Sequence, residues 1–121
     1  MADLNYLRLG NVFGKLAVAN LTTTATNVIT NSVNSNSLVK LNTVFLCNVD
    51  NTLASHATVY IQRSGSARLE YLSRLLPIRY NSTIKLVSRD TSHYLQEGDV
   101  LVMLSNVNNK VESIVSYELI S

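Results

Sequence analysis

The side chains able to do chemistry are few and scattered. His56 and His93 lie far apart in the chain, and neither has a histidine or cysteine at metal-ligand spacing, so a zinc site would have to draw its ligands from elsewhere. Cys47 is the single cysteine. It can make no internal disulfide, and within Val44-Phe45-Leu46-Cys47-Asn48-Val49 it reads as a small, buried, apolar side chain. Hydrolysis of a glycosidic bond needs two carboxylates about 5–10 Å apart. Glu97 and Asp99 bracket Gly98 in what reads as a turn, whose hydrogen bonds they would serve. Glu112 and Glu118 would be held about 20 Å apart on one strand at ~3.3 Å per residue. There is no Gly-x-Ser-x-Gly elbow, phosphate-cradling loop or dinucleotide turn. These readings predict a protein that is not an enzyme and that uses no metal or cofactor.

Binding chemistry is the alternative. The chain has six Tyr and two Phe but no Trp, which weakens the case for a sugar-stacking platform. Its tyrosines are spread over separate segments, where packing at the rim of a core with a hydrogen-bonded hydroxyl is expected; Tyr60, Tyr71 and Tyr80 form a candidate contact patch. Ten Lys and Arg against eight Asp and Glu give a net charge of +2, too little and too scattered for a nucleic-acid partner. Arg63 to Arg89 holds six of the basic residues and would make a mild positive patch or a set of solvated strand charges. The first residues lack a basic stretch followed by an apolar run, and no segment is long and apolar enough to span a bilayer. The expectation is no membrane partner and synthesis in a reducing cytoplasm.

What must position these groups is a set of strands. Apolar residues alternate in Val39–Cys47, where Val39, Leu41, Thr43, Phe45 and Cys47 form the expected inner face, and in Ala57–Arg63, where Ala57, Val59 and Ile61 do. Thr83–Ser88 sets Ile84 and Leu86 against Lys85. Val100–Ser105 and Val111–Leu119 flank an Asn-rich connector and read as a β-hairpin, with Val111, Ser113, Val115, Tyr117 and Leu119 on one face. Gly98 suits a turn with positive φ. Leu21–Ile29 reads as a further strand. In residues 66–76, Leu69, Leu72, Leu75 and Leu76 have helical spacing, but alternation running into an edge-tolerated Pro77 favours a strand. Short strands separated by Asn-, Ser- and Thr-rich turns predict an all-β fold: an antiparallel β-sandwich, Ig-like or jelly-roll-like, of seven to eight strands.

With 121 residues, 46% of them hydrophobic and only 15% charged, the chain suits one domain with ample core and a weakly charged, hydrogen-bonding surface. Residues 21–121 form the expected sandwich. Residues 1–20 are an N-terminal arm or an edge strand, with Tyr6, Leu7, Leu9, Val12 and Phe13 as candidate anchors on a neighbouring subunit.

The C-terminal part carries a further pattern: Leu76-Pro77-Ile78, then Asn81-Ser82-Thr83-Ile84, then Asp90-Thr91-Ser92-His93-Tyr94-Leu95-Gln96-Glu97-Gly98-Asp99, and finally Val115-Ser116-Tyr117-Glu118-Leu119-Ile120-Ser121. Over residues 38–121 this progression resembles small β-sandwich virion structural proteins of tailed phages, especially the contractile-tailed phages of cyanobacteria. Gln96 stands where the family pattern has an acidic residue, and Arg79-Tyr80 stands where smaller residues are common. The resemblance implies a non-enzymatic virion protein that packs on the capsid as a decoration or cement, or on the neck, tail or baseplate. Its partners would be other virion proteins and further copies of itself, a trimer being one candidate form. A rival reading is a receptor- or carbohydrate-binding module whose recognition loops, Asn34–Ser37 and Asn51–His56, gather at one end of the sandwich.

Overall fold

The computed structural model describes residues 12–64, 69–87 and 93–121. These residues form nine strands and no helix: β1 (Val12–Asn20), β2 (Thr26–Thr30), β3 (Leu38–Asn48), β4 (Ser55–Gln62), β5 (Leu69–Ile78), β6 (Ser82–Val87), β7 (His93–Leu95), β8 (Val100–Ser105) and β9 (Val111–Ile120). One sheet has the order β1-β9-β3-β6, with β7 also paired to β3; the other has the order β2-β8-β4-β5. Every pairing is antiparallel. The chain thus runs as one long hairpin, β1 against β9, β2 against β8, β3 against β6 and β7, with β4–β5 at its tip, rolled so that its halves alternate between two sheets. That connectivity is the jelly roll. Between the sheets lie Leu21, Leu41, Val44, Leu46, Val59, Ile61, Leu101 and Met103, all buried.

The alternation holds where a strand keeps its register. In β4 the inward residues Ala57, Val59 and Ile61 are buried, and in β9 Val111, Ser113 and Val115 are. In β3 it holds only halfway. The ladder to β9 passes from Leu41↔Tyr117 to Thr43↔Ser116, skipping Asn42. One extra residue turns every later side chain to the opposite face. Val39 and Leu41 point inward as expected, but beyond the bulge the inward residues are Val44, Leu46 and Asn48. Thr43, Phe45 and Cys47 are therefore on the outer face, only partly buried.

Three further expectations are corrected. Val100–Ser105 and Val111–Ile120 do not form a hairpin; they belong to different sheets. Their connector bridges the end of the sandwich: the His56 amide donates to Asn106 Oδ1 (2.7 Å) on one side, and the Val49 amide to the Lys110 carbonyl (2.8 Å) on the other. Leu21–Ala25 is not strand, because Thr22 Oγ1 accepts from the Thr24 amide and donates to the Thr24 carbonyl, closing a local turn that competes with the ladder. His93–Leu95 is an additional short strand, held by Val39↔Leu95 and Leu41↔His93. Of the leucine-rich segment at 66–76, residues 66–68 lie outside the described residues; Leu69–Ile78 is strand, with Pro77 in it at the sheet edge, as the alternation suggested. Val12–Asn20 is an edge strand of the same sandwich, registered with β9 along its whole length.

Among the described residues, four of the five non-glycine residues with positive φ are Asn34, Asn36, Asn81 and Asn109, which explains part of the asparagine content: asparagine tolerates the left-handed region in turns. Others are internal pegs. Asn48 donates from Nδ2 to the Leu53 and Ile78 carbonyls (3.0 and 2.9 Å), and its Oδ1 accepts the Asp50 amide (3.0 Å). Asn31 donates to the Ser37 and Leu95 carbonyls (3.0 and 2.9 Å).

Candidate interaction surface

Tyr60 and Tyr71 are directly opposite one another on β4 and β5, and their rings meet at 5.6 Å between centroids with a 60° tilt. The Arg74 guanidinium lies 5.5 Å from the Tyr71 ring centroid, in cation–π range. Tyr80 does not join them: it sits in the turn between β5 and β6, under Arg79 at 5.2 Å. Two of the three proposed patch residues therefore come together. Arg74 is the addition: it is three residues along the same strand, and the bulge that skips Leu72 between Tyr60↔Tyr71 and Val59↔Ser73 turns it to the face of Tyr71, which alternation alone would not show.

Tyr6, Leu7 and Leu9 lie outside the described residues, whereas Val12 and Phe13 open β1 and are half exposed. The strand they begin carries more apolar surface than the sequence reading assigned it. Ala17 packs on the core, so Leu16 and Val18 project from the opposite face, 66% and 64% exposed. Register then extends this face across the sheet: Val18↔Ile114, Ile114↔Phe45 and Phe45↔Lys85 place one row over β1, β9, β3 and β6. Lys85 Nζ covers one end of the row, 5.7 Å from the Phe45 ring centroid. Cys47 lies in the neighbouring row, opposite Glu112 and Thr83. Leu16, Val18 and Ile114 were missed as surface residues; the signal available for β1 was an edge-like strand apolar on both faces.

At one end of the sandwich the charged groups close on one another. Asp99, nearly buried, accepts from the Ser64 amide (2.9 Å), the Gln96 amide (2.8 Å) and Arg63 Nη1 (2.7 Å). Arg63 also forks onto Glu70 (3.0 and 3.1 Å) and donates to the Tyr94 carbonyl. The Glu70 carboxylate, and after it Asp99, holds the guanidinium further above its ordinary pKa. Gly98, at φ +85°, makes the turn that delivers Asp99, matching the expected positive-φ glycine. The cluster clamps β4, β5 and β7 together, with Asp99 consumed in the clamping. Asp50, at the other end, is held below the usual carboxylate range chiefly by the Thr52 amide. His56 and His93 lie in different strands, and among the described residues no three His, Cys, Asp or Glu side chains converge as a metal site would require.

The two loops offered for recognition are separated by the fold. Asn34–Ser37 precedes β3 and Asn51–His56 follows it, so the eleven residues of β3 place them at opposite ends, about 35 Å apart at ~3.3 Å per residue.

No family model matches this sequence, and no curated protein is similar to it. Among solved structures, one described as "Bacillus endospore appendages form a novel family of disulfide-linked pili" shares the fold, with a TM-score of 0.54 over 99% of this chain and 95% of that one, at 8% identity.

Proposed function

We propose that this chain is a non-enzymatic structural subunit of a protein assembly, and specifically a phage virion component that packs on the capsid, neck, tail or baseplate. The observation that carries the reading is the apolar row Val18–Ile114–Phe45 beside the exposed Leu16, set on the outer face of the β1-β9-β3-β6 sheet. Burying such a row on a neighbour removes apolar surface from water, at about 25 cal/mol per Å². Lys85 at one end of the row and Glu112 in the neighbouring row are the charges a partner would have to meet there.

Two lines of support are independent of the surface. The solved structure that shares this fold is described as forming pili, which are assemblies of repeated subunits. The residues that carry the phage resemblance have structural duties here: Asn81 and Gly98 adopt positive φ, and Asp99 anchors the clamp. A pattern built on such residues is what a shared scaffold would retain.

The test is the mass of the purified chain over a range of concentrations, together with its copy number in purified virions. Oligomers, and a copy number matching a capsid, neck, tail or baseplate symmetry, are expected. A chain that stays monomeric when concentrated and is absent from particles would overturn the reading.

A further inference from the structure

The four edges of the two sheets are not equally protected. β2 is five residues long and bulged between Asn27 and Ile29. β5 slips register twice against β4, carries Leu75 at φ +50° and contains Pro77. The outer edge beyond β3 is divided between the six residues of β6 and the three of β7. Short, bulged or proline-bearing strands are the means by which sheets avoid adding further strands. β1 has none of these: nine residues in unbroken register with β9, no proline, and no described strand on its other side.

Resting on the subunit reading above, we propose that β1 pairs antiparallel with β1 of a second copy of this chain, with Leu16 on the two-fold axis, so that the sheet continues across two subunits. A two-fold antiparallel pair that keeps outer face against outer face must bring residues of equal parity together. Only one such register overlaps all of Val12–Asn20, and it is the one centred on Leu16. In it Phe13 faces Ala19 of the second copy, Lys15 faces Ala17, and Val18 faces Gly14, a large side chain against a small one in each of these three pairings, while Leu16 meets Leu16 on the axis and Val12 meets Asn20 at the ends. Sliding one way to centre on Lys15 would set two ammonium groups directly opposite, which is destabilising. Sliding the other way to Ala17 strands Val12 and Phe13 beyond the partner's Asn20.

The scale also fits. A nine-residue ladder supplies about nine interchain hydrogen bonds, comparable to the ~10 of an ordinary interface. The two copies of Leu16 and Val18 then adjoin, joining both apolar rows into one patch.

The experiment places single cysteines in a Cys47→Ser background. With Leu16→Cys the two thiols face each other across the axis at a Cα separation of about 4.5–5.5 Å, inside the disulfide range of about 4.4–6.8 Å. With Val12→Cys they are about 26 Å apart at ~3.3 Å per residue. Mild oxidation should convert Leu16→Cys to a covalent dimer on a non-reducing gel and leave Val12→Cys uncrosslinked. Leu16→Lys should weaken dimerisation at least tenfold by light scattering while leaving the melting temperature of the monomer in place. Equal crosslinking at both positions, or none at Leu16→Cys, overturns the pairing. If Leu16→Lys keeps the oligomeric mass of the native chain, this edge is not the contact although the subunit reading stands; a native chain monomeric at every concentration removes both.

Discussion

Asn48 gives the sharpest test of how this fold holds its ends. Its side chain is completely buried on the inner face of β3, yet it makes three hydrogen bonds, to the Leu53 and Ile78 carbonyls and from the Asp50 amide. It thereby ties the loop after β3 to the last residue of β5. Asn48→Ala removes all three, each worth about 1 kcal/mol net, so a loss of about 3 kcal/mol is expected. Against a total stability of roughly 5–15 kcal/mol this is a large fraction, equivalent to a fall of about 10–15 °C in melting temperature for a domain of this size. Asn48→Asp keeps the shape but turns an acceptor toward two carbonyl oxygens, and buries a charge. It should cost more than Asn48→Ala at neutral pH. Burial raises the folded-state pKa of the introduced carboxyl, so the extra penalty is absent below the unfolded value and grows as pH rises through and above it. Urea unfolding at pH 4 and pH 7 measures both variants. The reasoning fails if Asn48→Ala lies within about 0.5 kcal/mol of the native chain, or if Asn48→Asp is the more stable of the two at pH 7.

Gly98→Ala should destabilise by about 1–2 kcal/mol or more, because φ is +85° and an added Cβ would meet the Ser64 Oγ and lie 2.6 Å from its Cβ; thermal melting reads this directly. Leu75→Gly should do the reverse, a gain of about 0.5–1 kcal/mol, since Leu75 holds φ +50° while 63% exposed and has little burial to lose; an unchanged or lower urea midpoint would show that its side chain contributes packing. For Asp50, the lowered folded-state pKa means that its contribution is present above the unfolded value and disappears as pH falls through the folded one. The Thr52 amide resonance should therefore titrate with a midpoint below 3.8, and Asn at position 50 should abolish that inflection.

Much of the fold was legible because its strands advertise a period of two. The segments read as strands at 39–47, 57–63, 83–88, 100–105 and 111–119 each coincide with an observed strand, apart from Arg63 just beyond β4 and Ser88, which lies outside the described residues, and the faces of β4 and β9 follow their alternation. The failures have a common form. At Asn42 a single unpaired residue reversed the second half of β3, and alternation has no memory of a bulge until a partner strand reveals it. The supposed β8–β9 hairpin has suitable turn chemistry, but its Asn side chains bind His56 and Thr23 instead of closing a ladder between their flanking strands. The threonines after Leu21 had strand propensity and yet closed a turn on themselves. The candidate surface was less legible: Tyr60 and Tyr71 were named together, but Phe45 and Cys47 were assigned to the core they turn away from.

The sequence by itself determined that the described chain would be antiparallel β-structure, with Asn and Gly turns and a core of Val, Leu and Ile, because pleat geometry and left-handed turns are local demands that local residues meet. The tertiary structure decided which side of each strand is the surface, and which strands have an open edge. Those depend on register between residues far apart in the chain. Val18, Ile114, Phe45 and Lys85 become one row only when four strands from different parts of the sequence are laid side by side.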